Sequence, residues 1–238
     1  MNRAQRWSLI LGLGLTVAGN SAAAKARESA SPDPSLTITI HVYNYAEVDQ
    51  KTLAEAENAT AGIFREAGVR VLWIDAAPLS GKRQQVSMDQ TSLDLTHITL
   101  NILPDAMANR LGSSNEVMGS APGGGRDRRV AYVFYDRIDR VNRLQAQVSS
   151  YRVYVRTSEI LGNAMAHELG HLLLNMQGHL RVGIMRGAWE LEDLQAIASG
   201  RLAFTPQQAK VLRTEVIRRI GQHEPTEATG LQSLTLAH

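Results

Sequence analysis

Strand-forming patterns occur in five segments of the chain. Residues 36–43 alternate apolar and polar side chains and are rich in β-branched residues, which predicts a half-buried strand. The short apolar run at 69–74 predicts a buried strand. The other three segments are 95–103, which Pro104 closes, a short edge strand at 117–121 within a stretch rich in Gly, Ser and Asn, and 129–135.

Helical spacing of apolar residues is found in four segments. Residues 49–67 show it clearly, and Gly68 stands where a C-terminal cap is expected. Residues 158–174 form the strongest helical pattern, with Thr157 or Ser158 as its N-cap. The two shorter helices are predicted at 189–199 and from Thr205-Pro206, a capping box with proline at the first helical position, to about residue 220.

The order of these elements predicts an α/β fold. Strand, helix, strand, strand, edge strand, strand and long helix follow one another along the chain. Such an order is typical of a mostly parallel or mixed sheet with helices packed against it. We therefore expect one domain over residues 36–221, with about five strands and a mainly helical C-terminal part.

The two ends of the chain show different patterns from this domain. Residues 1–26 contain a positive start, an apolar stretch too short to span a bilayer, and small residues suited to cleavage, which predicts a signal peptide. Residues 27–35 are interpreted as a linker and 222–238 as a flexible tail. We expect a secreted or periplasmic protein with no stable membrane association after cleavage.

Charge and cysteine content narrow the classes of function. The chain has 25 Lys and Arg against 23 Asp and Glu, and removal of Arg3, Arg6 and Lys25 with the signal leaves 22 basic residues. This balance argues against a nucleic-acid partner, and the basic residues at 126–143 are interleaved with Asp, so a solvated mixed-charge face is expected there. Cysteine is absent, which excludes disulfides and latency through a pro-segment thiol.

The segment His167-Glu168-Leu169-Gly170-His171 provides the candidate chemistry. Positions four apart share a helix face, so the imidazoles of His167 and His171 can bind one zinc ion. Glu168 flanks the same site and can take a proton from a water molecule that the metal activates. A chance match is roughly a one-in-a-hundred event for such a chain. By contrast, His41 and His97 lie in or beside strands and are expected to be polar residues on half-buried surfaces, not metal ligands.

The third metal ligand is open between two alternatives. His179 follows Asn175 and Gly178, which both tolerate positive φ and could turn the chain back towards the metal. That choice gives a three-histidine site. Glu190 or Glu192 could instead arrive from the next helix and give a site with two histidines and one glutamate, although both also resemble ordinary exposed acids beside Asp193.

These residues, followed by Gly183-Ile184-Met185, resemble the metzincin metallopeptidases, most of all the matrixin-like branch. The resemblance implies a metzincin-like mixed, twisted sheet and zinc bound by His167, His171 and His179, with Glu168 as general base. It also implies that Met185 lies in the tight Met-turn beneath the metal. The connection to His179 is two residues longer than the family pattern. The implied substrate-binding edge strand contains Val117, Gly119 and Ala121.

The sequence thus predicts a secreted zinc-dependent endopeptidase that hydrolyses proteins or peptides. Two alternatives remain. One is a gluzincin-like peptidase that uses Glu190 or Glu192, and the other is a non-catalytic exported module that binds zinc.

Overall fold

The structure, a computed structural model, describes residues 35–76, 94–147 and 154–222. Within them, five strands form one sheet in the order β2-β1-β3-β5-β4. All neighbours in the sheet are parallel except β4, which runs antiparallel to β5 at one edge. The predicted mixed five-stranded sheet is therefore confirmed. The strands are β1 (Thr37–Asn44), β2 (Arg70–Ala76), β3 (His97–Leu103), β4 (Gly119–Ser120) and β5 (Val130–Phe134).

Strand β2 differs from its prediction as a buried strand. It lies at the edge of the sheet opposite β4, and only Val71 is buried in it. Leu72 and Ile74 keep 47% and 43% of their surface exposed. An apolar run cannot tell whether a strand is covered on both faces, because that depends on the neighbours that fold against it.

Six helices are found in the described residues, and the fourth carries the segment from His167 to His171. The bounds are α1 (Gln50–Glu66), α2 (Asp105–Arg110), α3 (Tyr135–Gln147), α4 (Thr157–Leu173), α5 (Leu191–Ala198) and α6 (Pro206–Gly221). The C-terminal cap of α1 and the N-terminal cap of α6 follow the sequence signals: Gly68 has φ 82°, and Thr205 closes a capping box. At the start of α1, Asp49 accepts from the Thr52 amide at 2.9 Å, a cap that was not predicted. No helix within these residues is long and apolar enough to cross a membrane.

Helix α4 is buried on nearly every side. Every residue from Ser158 to Leu173 except Glu159 is buried, because α4 lies between the sheet, α1 and the C-terminal helices. Small residues allow a close approach to α1: the Thr60 hydroxyl donates to the Gly162 carbonyl at 2.8 Å. The predicted N-cap at Thr157 or Ser158 is wrong by one or two residues, since Arg156 holds that position and its amide donates to Glu159 at 2.9 Å.

Helices α2 and α3 were not predicted. Two arginines within residues 126–143 are buried, although a solvated mixed-charge face was expected there. Arg128 and Arg137 are only 9% and 3% exposed. Arg137 donates to the Asp105 carboxylate at 3.0 Å and to the Val117 carbonyl at 2.9 Å, so it holds the segment that leads into β4. Alternating charges along a sequence predict a solvent-exposed surface only if no other segment covers them. Here backbone carbonyl groups accept hydrogen bonds from the buried guanidinium groups and so offset the cost of burial.

The predicted signal peptide and nearly all of the predicted linker and tail lie outside the described residues. His41 and His97 contact each other instead of the motif, with their ring nitrogens 2.8 Å apart.

Candidate metal centre

Three imidazoles converge at the C-terminal half of α4. His167 and His171 project from one face of the helix, and His179 reaches the same point from the chain that follows it. One ligand nitrogen from each lies within 4.8 Å of the other two. The ring centroids are 4.7 Å apart for His167 and His171, and 5.3 Å and 5.0 Å from these to His179. This is the only such group of His, Cys, Asp or Glu among the described residues.

The hydrogen bonds of the two helix histidines determine which nitrogens can bind a metal. Nδ1 of His167 lies 2.7 Å from the Ile184 carbonyl, and Nδ1 of His171 lies 3.1 Å from the Met176 carbonyl. A carbonyl oxygen only accepts, so each Nδ1 carries the proton and each Nε2 presents a lone pair. The two Nε2 atoms are 3.0 Å apart. Two lone pairs at that distance repel each other unless a cation lies beside both.

Burial keeps these histidines in the neutral form that a metal requires. His167 and His171 are 7% and 6% exposed. Burial lowers the pKa of His167 to about 4 and also lowers the pKa of His171, while the carbonyl partners act in the opposite direction. The donor set therefore fits zinc, which binds neutral imidazole nitrogens and needs no proton to be displaced from them near neutral pH.

His179 differs from the other two because it is exposed. The chain leaves α4 through Asn175, whose φ of 51° provides the turn, while Gly178 does not use the positive φ expected of it. The imidazole rests against Gly187, where an added β-carbon would lie 2.8 Å from its ring. The site is thus closed by two buried histidines on one side and open to solvent beside the third.

Glu168 lies between the histidines and the edge strand. It is only 7% exposed, and burial raises its pKa to about 8. An added β-carbon at Gly119 would lie 2.6 Å from Oε1 of this carboxylate. The glycine therefore lets β4 approach the acid directly. A cation on the adjacent imidazoles would favour the ionised form of Glu168, as a base requires.

Val117 and Ala121 flank β4, which is shorter than the predicted segment 117–121. Val117 keeps 42% of its surface exposed, and its carbonyl is held by Arg137.

Met185 lies fully buried in a tight turn beneath α4. The Arg186 amide donates to the Gly183 carbonyl at 3.2 Å, and Gly183 has φ 72°. The Met185 sulfur occupies the space that a side chain at Gly170 would need, 2.6 Å from an added β-carbon. The same turn supplies the Ile184 carbonyl that holds His167. It therefore supports the motif helix and orients one imidazole.

The glutamates considered as alternative ligands are not brought to this cluster. Glu190 pairs with Arg186 at 2.9 Å and remains 65% exposed, and Glu192 is an exposed residue in the first turn of α5. Asp193, unlike these two glutamates, is buried, and it pairs with Arg186 at 3.0 Å. Its carboxylate also accepts from the amide of Glu190, the N-cap residue of α5.

Trp189 is a site residue that the sequence analysis did not single out as part of the metal centre. Its ring meets His167 edge-on with centroids 6.0 Å apart, and its indole nitrogen is buried without a hydrogen-bond partner among the described residues. An aromatic residue shortly after the turn at Met185 was the available signal, but only the fold shows which ring it faces.

The sequence matches no protein-family model and no curated protein. Among solved structures, the chain is similar to a zinc-dependent peptidase from Methanocorpusculum labreanum, with 15% identity, a TM-score of 0.47, and coverage of 73% of this chain and 99% of that chain. It is also similar to an archaemetzincin from Methanopyrus kandleri, with 15% identity, a TM-score of 0.44, and coverage of 79% and 99%. At this level of similarity, the chemistry of the site is inferred from the residues of this chain alone.

Proposed function

We propose that this protein is a zinc-dependent peptidase in which His167, His171 and His179 bind the metal and Glu168 is the general base. The observation that carries the proposal is the approach of the Nε2 atoms of His167 and His171 to 3.0 Å, beside a third imidazole and a buried carboxylate. Three histidines beside a carboxylate are typical of a catalytic zinc site, in which one coordination position stays free for water, and not of a purely structural core.

The chain's own residues account for the proton transfers. When bound, zinc would polarise the scissile carbonyl and lower the pKa of a water molecule beside it. Glu168 is one residue from His167 on the same helix, and its carboxylate accepts the proton of the attacking water and later delivers it to the leaving amine. Its burial excludes bulk water from this exchange.

Strand β4 is the proposed binding edge for the substrate backbone. It is the last strand of the sheet, and Gly119 brings it against Glu168. An extended peptide that adds to this edge would place its carbonyl groups beside the histidine cluster, and backbone pairing would supply affinity without a particular sequence. Val117, Gly119 and Ala121 would line this path.

The finer parts of the proposal rest on the sequence. Assignment to the metzincins, and to their matrixin-like branch, rests on the motif and on Met185, since the spacing to His179 is longer than in that family. Export to the periplasm or the medium rests on residues 1–26. Mass spectrometry of the protein recovered from the producing cells tests export, because a chain that retains those residues contradicts it.

Two observations favour this proposal over its alternatives. Glu190 is engaged with Arg186, so a site with two histidines and a glutamate would need that ion pair to break. A non-catalytic zinc module would need a fourth ligand to close the site, and no fourth His, Cys, Asp or Glu joins the cluster among the described residues.

Glu168→Gln tests the proposed base. This variant should bind one zinc ion per chain, as the wild type does, while kcat for peptide hydrolysis falls by about 10²- to 10⁴-fold. Zinc content is measured by elemental analysis and hydrolysis with a library of quenched fluorescent peptides. Wild-type turnover in Glu168→Gln would remove the mechanism.

His179→Ala tests the third ligand, with Glu190→Gln as its matched control. We expect marked loss of zinc in the first variant and full zinc in the second. The reverse result would move the ligand to Glu190, and absence of zinc from the wild type after metal is supplied would exclude the peptidase.

A further inference from the structure

Arg128 is a buried cation that the proposed chemistry does not use. It lies in the connection between β4 and β5, shortly after Gly123-Gly124-Gly125, and it is only 9% exposed. Its guanidinium donates to three carbonyl groups, those of Ala121 at 2.8 Å, His171 at 2.7 Å and Met176 at 3.1 Å. Burial of a positive charge is unfavourable unless its surroundings are strongly polar. These contacts therefore indicate that the buried guanidinium has a specific role in this part of the structure.

The first requirement is the C-terminal end of α4. His171 belongs to the last turn of the helix, where carbonyl groups lack partners within the helix and the dipole is negative. The guanidinium of Arg128 meets that end and binds the carbonyl of a proposed metal ligand directly.

The second requirement is the orientation of the His171 ring. The Met176 carbonyl accepts from both the Arg128 guanidinium and Nδ1 of His171. Arg128 therefore fixes the acceptor that holds the proton on Nδ1 and leaves Nε2 for a metal. Groups that orient a metal-binding histidine in this way influence metal affinity even though they do not touch the ion.

The third contact connects this arrangement to the edge strand. Ala121 directly follows β4, and its carbonyl is bound by the other terminal nitrogen of the same guanidinium. One planar group thus joins the strand that we propose for substrate binding to the helix that carries His171. A lysine ammonium could not span these carbonyls in the same plane.

We propose that Arg128 is a positioning residue that increases the affinity of the His171 site for zinc and fixes the position of strand β4 beside the metal. This inference rests on the proposed function. It predicts two separate effects, weaker zinc binding from the disturbed His171 ring and a higher KM for peptides from the released strand.

Arg128→Met and Arg128→Lys test the proposal, with Arg126→Met and Arg126→Lys as controls, since Arg126 is exposed two residues away. Zinc affinity is measured by competition with a chelator, starting from metal-free protein, and KM is measured at saturating zinc. Both Arg128 variants should bind zinc about 10- to 100-fold more weakly than the wild type. The Arg126 variants should match the wild type.

Thermal unfolding of the metal-free variants separates positioning from folding. If Arg128→Lys is folded and binds zinc as tightly as the wild type, the positioning role is overturned while the peptidase proposal stands. If neither Arg128 variant folds, Arg128 is a structural residue and the inference fails as well. If the wild type itself binds no zinc, the proposed function is overturned together with the inference.

Discussion

Gly119→Ala is expected to impair catalysis while leaving the fold and the metal site nearly intact. The new methyl carbon would lie 2.6–2.7 Å from three atoms of Glu168: Cγ, Cδ and Oε1. Carbon atoms in good contact are about 3.5–4.0 Å apart, so roughly 1 Å of movement is required. Gly119 does not have positive φ, so alanine fits its backbone conformation.

The side chain of Glu168 is expected to make that movement. Its carboxylate is the end of a flexible chain, whereas Gly119 is held in the ladder with β5. Free energy of unfolding should therefore change by about 1 kcal/mol or less, at the low end of overpacking effects. A misplacement of about 1 Å in a reacting group can lower the rate by about 10²-fold, which corresponds to roughly 2.7 kcal/mol in the activation barrier.

The assay compares kcat for a fluorogenic peptide, zinc content and urea unfolding in Gly119→Ala and Gly221→Ala. Gly221 ends α6 with open space around it, so alanine there should leave kcat and zinc content unchanged and raise the free energy of unfolding by about 1 kcal/mol or less. Wild-type kcat in Gly119→Ala would refute the argument that the carboxylate must stay at its observed position. Loss of zinc together with a large loss of stability would show that the strand moves instead of the acid.

Three further predictions follow from the packing and charge of the site. Gly162→Ala should lower the free energy of unfolding by about 1–3 kcal/mol in urea titrations, because its methyl would lie 2.6 Å from the Ala56 backbone carbonyl; an unchanged midpoint contradicts this. Gly187→Ala should weaken zinc binding in a chelator competition, because it displaces the exposed His179 ring, and unchanged affinity would show that the ring can shift without loss. In metal-free protein, His167 has a pKa near 4 against about 6.5 unfolded, so it should reduce stability as the pH falls from 6.5 towards 4. The difference in urea unfolding between wild type and His167→Asn isolates that effect, and a difference independent of pH rejects it.

The sequence alone predicted the elements whose signals are local. Alternation along β1 and the cap signals around α1 and α6 agree with the structure, because strand and helix periods depend on residues only a few positions apart. The placement of His167, Glu168 and His171 on one stretch of helix is local in the same sense. A helix once formed brings positions four apart together, whatever lies around it.

Only the tertiary structure decided which side chains meet across long separations. It brought His179 to the histidine pair and paired Glu190 with Arg186, although the sequence had favoured His179 without excluding the glutamates. It also placed the predicted buried strand β2 at an edge.

Arg128 shows most clearly why contacts between distant parts of the chain could not be predicted from the sequence. Among its neighbours along the chain it resembles a solvated charge, yet it is buried against carbonyl groups 43 and 48 residues away. Free energies of burial and hydrogen bonding depend on such distant partners, and no local pattern of residues records them.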